Sequence, residues 1–157
     1  MVITEVEPLS RTRYKVYIDG KFAFVLYKGD LARYHLARGC EIPEETCRQI
    51  RREVVLKRAK MRALHLLNDM GRTEAQLRAK LRQNHYTEEI VEETLAYVKS
   101  FGYVNDGAYA RNFIETRKGQ KSRREIYARL CEKGISREEI EAAMEECYSG
   151  EDSREAI

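Results

Sequence analysis

The sequence contains a tandem repeat with an offset of 49 positions, and this repeat restricts the fold more than any other feature. Thr73-Glu-Ala-Gln76 and Ser122-Arg-Arg-Glu125 both match a capping box, a pair of side chains that satisfies free amides at a helix start. The same offset relates Leu77, Leu81, Tyr86, Thr87, Val91 and Leu95 to Ile126, Leu130, Ile135, Ser136, Ile140 and Met144. These matches predict two tandem units of three helices each.

The stretch from Gly102 to Gly119 joins the two units. Gly102 follows the third helix of the first unit and suits the left-handed conformation that ends many helices. Asp106 is predicted to cap the first helix of the second unit. The predicted inner face of that helix consists of Tyr109, Ala110, Phe113 and Ile114. A structural role therefore explains this stretch better than a catalytic one.

The first residues have the pattern of β-strands. Arg13–Ile18 alternates between polar and apolar side chains, Asp19-Gly20 is typical of a two-residue type I′ turn, and Lys21–Leu26 forms the return strand. Val2 to Val6, followed by Pro8, suits a third strand. Because an isolated hairpin is only marginally stable in water, we expect this ribbon to pack against helices.

A helical pattern begins after residue 29. Asp30 is predicted to cap a short helix that ends at Gly39, and Pro43 to begin a longer helix that extends to about Asn68. The apolar positions of the longer helix change face along its length, from Cys47, Ile50 and Val54 to Leu56, Ala59, Ala63, Leu66 and Leu67. Such a shift predicts a bend, or two consecutive helices, near residues 54–57.

The predicted fold class is mainly α, with two tandem three-helix repeat units preceded by a short N-terminal antiparallel β ribbon. The predicted segments are a β ribbon at 1–29, a helical connector at 30–53, repeat units at 54–103 and 104–149, and a C-terminal tail at 150–157. A chain of 157 residues suits one ordinary domain or two very small ones, which agrees with this division.

The sequence lacks the motifs that indicate an enzyme. No GxxxxGK[ST] phosphate loop is present, and no serine or cysteine has a recognisable base nearby in sequence. His35, His65 and His85 are far apart and lack the spacing of a zinc site. His35 with Cys40 and Cys47 gives at best a weak cluster. We therefore expect no catalytic residue, no cofactor and no metal.

The cysteine pattern bears on the cellular compartment. The four cysteines form no CxxC pair, and Cys131 and Cys147 fall in amphipathic helices, where reduced thiols act as small hydrophobes. Neither a secretory leader nor an apolar run of membrane-spanning length is present. We expect a cytoplasmic protein that does not enter a membrane.

Charge is sorted along the chain, although the net charge is only +3. Cation-rich segments at residues 48–62 and 111–129 contrast with glutamate-rich third helices around residues 88–93 and 138–146. Either neighbouring helices neutralise each other, or the cations form a basic surface for a polyanion or an acidic protein, because clustered Lys and Arg attract phosphates. The candidate partner-binding residues are Arg51, Arg52, Lys57, Arg58, Arg62, Arg111, Arg117, Lys118, Arg123 and Arg124.

Two features of the second cationic segment favour a binding role. Arg111 and Lys118 are seven positions apart, so we expect them to share a helix face that points away from the apolar side. Arg123 and Arg124 fall in the first turn of a helix, where positive charge opposes the helix dipole. Exposed aromatic residues interleaved with the cations, which favour base stacking, are absent from the sequence pattern. The sequence thus predicts electrostatic contact rather than base readout.

Several segments resemble the RecX family of bacterial regulators of the RecA recombinase. The resemblance covers about residues 54–148 and rests on the order and spacing of Arg72 to Leu81, Gly102 to Asp106, Tyr109-Ala110, Phe113 and Lys133 to Ile135. The amino-terminal strands look like an extension that some members carry. Members typically have a third helical unit, whereas the repeat occurs twice in this sequence.

The resemblance implies a non-enzymatic regulator that acts in homologous recombination, DNA repair and the SOS response. Such a protein binds in the groove of the RecA–DNA filament and inhibits the recombinase and its ATPase activity. We expect it to be a monomer whose basic faces contact the filament and its DNA phosphates. The alternative is a stand-alone helical-repeat protein that binds DNA directly, without sequence preference.

Overall fold

The computed structural model describes residues 1–149 and is mainly helical, with a small antiparallel sheet at the start of the chain. The predicted C-terminal tail, residues 150–157, lies outside the described residues. The strands are β1 (Ile3–Pro8), β2 (Arg13–Ile18) and β3 (Lys21–Tyr27). The helices are α1 (Lys28–Arg33), α2 (Glu44–Ile50), α3 (Leu56–Asp69), α4 (Glu74–Gln83), α5 (Glu88–Ser100), α6 (Asp106–Arg117), α7 (Arg123–Glu132) and α8 (Arg137–Cys147). The predicted fold class is confirmed, because two three-helix units, α3–α5 and α6–α8, follow the sheet.

The three strands form one sheet in the order β1-β2-β3, with both neighbouring pairs antiparallel. At the β2–β3 turn, Asp19 and Gly20 both have a positive φ, 49° and 81°, as a type I′ turn requires. The predicted hairpin and third strand are therefore confirmed. The side chains that the sheet buries are Ile3, Val16, Ile18, Ala23, Phe24 and Leu26.

The first helix is shorter than predicted and begins differently. It covers Lys28–Arg33, whereas the sequence suggested a helix from Asp30 to Gly39. Asp30 lies within the first turn, where its carboxylate accepts a hydrogen bond from the Tyr27 N–H at 2.8 Å. The helix ends early because His35 adopts a positive φ of 56°, which interrupts the α-helical hydrogen-bond pattern.

The predicted shift of the apolar face arises from a π-helical segment, Arg51–Val55, which connects α2 to α3. A π-helical turn contains about one more residue than an α-helical turn, so side chains after it are rotated by roughly 100° relative to those before it. The predicted discontinuity near residues 54–57 is confirmed. Pro43 precedes α2 in an extended conformation, with ψ of 144°, instead of occupying the first helical position.

The contacts divide the chain into two compact units, which we call unit one and unit two, and each has its own core. Their bounds differ from those of the two three-helix repeats, because the first repeat contributes residues to both units. Unit one comprises Met1–Ala63 with Leu81–Thr94, and unit two comprises Leu64–Lys80 with residues 95–149 of the described chain. The core of unit one includes Ile3, Val16, Phe24, Leu26, Ile42, Ile50, Ala59 and Ile90. The core of unit two includes Ala110, Phe113, Ile114, Ile126, Leu130, Ile135, Ile140, Ala143 and Met144.

The start of α6 is capped by a residue other than the predicted one. The Asn105 side-chain oxygen accepts a hydrogen bond from the Ala108 N–H at 3.0 Å, which makes Asn105 the cap. Asp106 is the first residue of α6, and its carboxylate accepts from the Glu74 N–H at 2.9 Å, at the start of α4. The aspartate therefore satisfies a free amide of a different helix. Gly102 has the predicted positive φ, 75°.

The predicted caps of α4 and α7 are present. Thr73 Oγ1 accepts from the Gln76 N–H at 3.1 Å, and the Gln76 side chain accepts from the Thr73 N–H at 3.1 Å. Ser122 Oγ accepts from the Glu125 N–H at 3.1 Å. The Thr73 hydroxyl also donates to the Lys133 carbonyl at 2.7 Å, so the start of α4 is held against the α7–α8 turn.

Candidate partner-binding surface

The ten predicted partner-binding cations fall into two groups in the structure. Three of them form ion pairs: Arg58 with Asp30, Arg111 with Glu146 and Lys118 with Glu115. The other seven have no carboxylate partner among residues 1–149: Arg51, Arg52, Lys57, Arg62, Arg117, Arg123 and Arg124. This second group, which we call the unpaired cations, keeps its charge available for an external ligand.

Arg58 forms a structural ion pair rather than a free binding group. Its guanidinium donates to both carboxylate oxygens of Asp30, to one of them at 3.0 Å. Burial raises the pKa of Asp30, but the hydrogen bonds from Arg58 and from the Tyr27 N–H outweigh it and hold this pKa below its ordinary value. The same guanidinium lies over the Tyr27 ring, 4.6 Å from the centroid. Arg58 therefore fixes the position of Tyr27.

Arg111 and Lys118 both contact the end of α8. Lys118 Nζ donates to the Cys147 carbonyl at 3.1 Å, and Arg111 Nε lies 3.7 Å from a carboxylate oxygen of Glu146. The expectation that this face of α6 points away from the packed side is wrong, because α8 packs along α6 and its last turn reaches both residues. These two cations stabilise unit two internally.

The unpaired cations of unit two lie around the turn between α6 and α7. The guanidinium carbon of Arg117 lies 3.8 Å from the Phe113 ring centroid. That of Arg123 lies 4.8 Å from the Tyr148 ring centroid, and Arg124 is exposed next to it. A ring orients a guanidinium without cancelling its charge, since the ring carries no net charge. This turn therefore presents oriented positive charge at the start of α7.

The unpaired cations of unit one lie on the π-helical segment and on the helix after it. Arg51 and Arg52 belong to the segment, and Lys57 and Arg62 follow on α3. Arg62 Nε donates to Asn84 Oδ1 at 2.9 Å, which orients the side chain through a neutral partner. Its two terminal nitrogens have no carboxylate partner among the described residues. The unpaired cations of unit one thus lie on the π-helical segment and the first half of α3.

The structure adds residues that the sequence pattern did not single out. Arg13 of β2, Tyr27 at the end of β3 and Asn84 after α4 line one cleft together with Arg58 and Arg62. No local pattern marks them, because they are far apart in sequence and lie outside the cation-rich segments. The available signal was the hairpin register, which places Arg13 opposite Tyr27.

Other site types find little support in the described residues. Within residues 1–149, no three His, Cys, Asp or Glu side chains are grouped as metal ligands. No helix in this part of the chain combines the length and the apolar character needed to cross a bilayer. Cys147 is buried as expected of a small hydrophobe, whereas Cys131 is exposed, contrary to expectation, because α7 buries Ile126 and Leu130 instead.

These features define a class of protein: a helical-repeat scaffold whose described surface carries cations without carboxylate partners. Comparison with known proteins then gives the family. The family model for the first three-helix domain of RecX matches residues 59–97, and the model for the second three-helix domain of RecX matches residues 105–144. The chain belongs to the RecX family.

Individual relatives agree with this assignment. The Regulatory protein RecX of Caldanaerobacter subterraneus subsp. tengcongensis is 33% identical over 159 residues, covering 100% of this chain and 81% of the relative. The protein of the same name from Clostridioides difficile is 32% identical, covering 92% of this chain and 70% of the relative. The Regulatory protein RecX of Levilactobacillus brevis is also 33% identical, and the match covers 91% of this chain and 55% of that relative. The relatives are thus named as regulators.

Solved structures show the same fold. A crystal structure of regulatory protein RecX matches with a TM-score of 0.59 and 29% identity, covering 92% of this chain and 73% of that one. The crystal structure of RecX from Lactobacillus salivarius matches with a TM-score of 0.57 and 25% identity, covering 60% of this chain and 62% of that one.

Proposed function

We propose that the protein is a cytoplasmic, monomeric, non-enzymatic regulator that binds the RecA–DNA filament and inhibits the recombinase and its ATPase activity. The observation that carries the proposal is the set of unpaired cations, which is distributed over both units of a RecX-family chain. A recombinase filament on DNA presents phosphates and acidic side chains in a regular array. A repeat scaffold with cations at several positions is complementary to such an array.

The magnitude of each contact explains why several cations are needed. An exposed ion pair contributes at most about 1 kcal/mol at low salt, and less as the salt concentration rises. Stable binding therefore requires several such contacts to act together. Association through them is fast and salt-sensitive, because long-range attraction guides the encounter.

The proposal is tested by reversing the unpaired cations of unit two. Arg117→Glu, Arg123→Glu and Arg124→Glu together leave the internal ion pairs of α6 intact, since Lys118 and Arg111 are unchanged. The assay measures DNA-dependent ATP hydrolysis by RecA at increasing concentrations of this protein. We expect the half-inhibitory concentration to rise about 10–100-fold, with the far-ultraviolet circular dichroism unchanged.

A matched control separates specific docking from total charge. Arg11, Arg38 and Arg137 are exposed and outside the candidate set, so reversing all three changes the net charge by the same amount. This control is expected to inhibit RecA at nearly the wild-type concentration. If the unit-two variant inhibits as well as the wild type, the same test is applied to Arg51, Arg52 and Lys57. Full inhibition by both variants would refute the charge-based docking.

The alternative function is distinguished by binding to DNA without recombinase. Co-sedimentation with single-stranded DNA is measured with and without bound RecA, at the same salt concentration. The proposal predicts stronger binding to the RecA-coated DNA. Equal binding to bare DNA, together with unchanged RecA ATPase activity, would instead support a stand-alone DNA-binding protein.

A further inference from the structure

A cleft on unit one brings cations and tyrosines together. It has a volume of about 390 Å³, and its polar lining consists of Arg13, Tyr27, Arg58, Arg62, Asn84 and Tyr86. This volume falls in the range of roughly 300–1,000 Å³ that is typical of small-ligand sites. Every lining residue belongs to unit one, so the cleft is formed within a single compact unit.

The wall of this cleft carries positive charge and contains no carboxylate. Arg13 and Arg62 have no ion-pair partner among residues 1–149, whereas Arg58 is neutralised by Asp30, which does not line the cleft. Because Arg62 uses its Nε to bind Asn84, its two terminal nitrogens are available to a ligand. Such a pair of nitrogens matches two oxygens of a phosphate. The cleft is therefore suited to a phosphate group.

The positive charge near the cleft also affects the pKa of a neighbouring histidine, His85. His85 lies between Asn84 and Tyr86 in sequence, and burial lowers its pKa. The charges of Lys15 and Arg13 lower this pKa further. Both cations lie on β2, two residues apart, and therefore on the same face of the sheet. A bound anion would compensate this concentration of like charge.

The second component of the cleft is aromatic. Tyr27 remains 44% exposed although the Arg58 guanidinium lies over its ring. Tyr86 lines the same cleft as Tyr27. Burial raises the pKa of Tyr86, and the neighbouring Tyr27 adds to the rise. Single-stranded nucleic acids are held by cations on the phosphates and by aromatic rings on the bases. The cleft contains both kinds of group, the cations Arg13 and Arg62 and the aromatic ring of Tyr27.

The two repeats differ at the second residue after their second helix, which is His85 in the first repeat and Gly134 in the second. His85 and Gly134 are 49 residues apart, and both have a positive φ, 68° and 83°. Glycine adopts this conformation without strain, whereas a histidine there is uncommon. The first repeat thus has an imidazole after α4, next in sequence to two residues that line the cleft, whereas the second repeat has no side chain at the equivalent position.

We propose that this cleft binds one nucleotide of a single-stranded nucleic acid, with the phosphate at Arg13 and Arg62 and the base against Tyr27. This contact goes beyond the filament docking proposed above, because it requires no recombinase. A duplex does not satisfy it, since the bases of a duplex are stacked inside the helix. An acidic peptide satisfies the cations but not the ring, so the role of Tyr27 separates the two ligands.

The test uses the full chain and a fluorescein-labelled 20-mer of thymidylate, with fluorescence anisotropy read at several salt concentrations. Replacing Arg13 and Arg62 by Gln together is expected to weaken binding about tenfold or more and to lower the salt slope by between one and two. Tyr27→Leu is expected to weaken binding about 5–100-fold with an unchanged salt slope, because it removes stacking and no charge. Tyr27→Trp is expected to retain binding.

A control pair of substitutions and a competitor complete the test. Lys21→Gln with Arg38→Gln removes two exposed cations of unit one outside the cleft and should change the affinity less than about twofold. Thermal unfolding checks that each variant is folded. Tyr27→Leu binding as the wild type does, or poly-glutamate competing as well as thymidylate, would overturn the proposal. Since RecA is absent from this assay, such a result leaves the proposed inhibition of RecA to its own test.

Discussion

Replacing Gly134 by alanine is expected to destabilise unit two more than replacing another left-handed glycine. Gly134 follows α7 with a φ of 83°, and a Cβ added there would fall far inside the contact distance of the Ala75 Cβ in α4. Gly102 also has a positive φ, 75°, but nothing lies within 4 Å of the position that its Cβ would take. The two substitutions therefore separate backbone strain from steric overlap.

The loss of stability expected for Gly134→Ala is the sum of three contributions. A left-handed conformation costs an alanine about 1–2 kcal/mol at either position. At Gly134 the overlap must also be relieved, and because carbon atoms pack at roughly 3.5–4.0 Å, α4 and the α7–α8 turn must move apart. This adds about 1–3 kcal/mol, and it weakens the Thr73–Lys133 hydrogen bond across the same contact, which contributes about 1 kcal/mol. We expect a loss of about 3–6 kcal/mol for Gly134→Ala and about 1–2 kcal/mol for Gly102→Ala.

The assay is urea unfolding followed by circular dichroism, with both variants compared with the wild type. A second substitution, Ala75→Gly, removes the side chain that the new Cβ meets, and costs about 1 kcal/mol alone through its helix propensity. In the Gly134→Ala background it should cost less or stabilise, which a double-mutant cycle records as a coupling of about 1–3 kcal/mol. Equal losses for Gly134→Ala and Gly102→Ala, with no coupling to Ala75, would refute the close approach.

Two further predictions concern a buried thiol and a partly exposed ion pair. Cys131 should react with a maleimide at about pH 8, whereas Cys147 should react only on unfolding, because burial raises the pKa of its thiol to about 11; peptide mass spectrometry checks this, and equal rates would contradict it. Asp30→Asn should cost about 1–3 kcal/mol at neutral pH, because it breaks a partly exposed ion pair with Arg58. Since the pKa of Asp30 is depressed, its contribution is complete above the unfolded value of about 3.9 and is lost as pH falls through the folded value. The unfolding temperatures of wild type and variant should therefore converge in acid, and a constant difference would exclude this ion pair as the cause.

The sequence alone determined the features that depend on neighbours a few residues apart. Thr73 with Gln76, and Asp19 with Gly20, fix a helix start and a hairpin turn through interactions within four residues. The change of apolar face before Leu56 located the π-helical segment, because helix periodicity is also a local property. The repeat then followed from the recurrence of these local signals.

Only the tertiary structure decided which charged groups are paired and which are free. Asp106 was expected to cap its own helix, but its carboxylate binds the Glu74 N–H, 32 residues away. Asp30 and Arg58 are 28 residues apart, and nothing in the sequence around either one indicates that they meet. The same applies to Tyr27, which no sequence pattern placed among cations. Such contacts depend on how the strands and helices pack, whereas caps and turns depend on backbone conformation within a single turn.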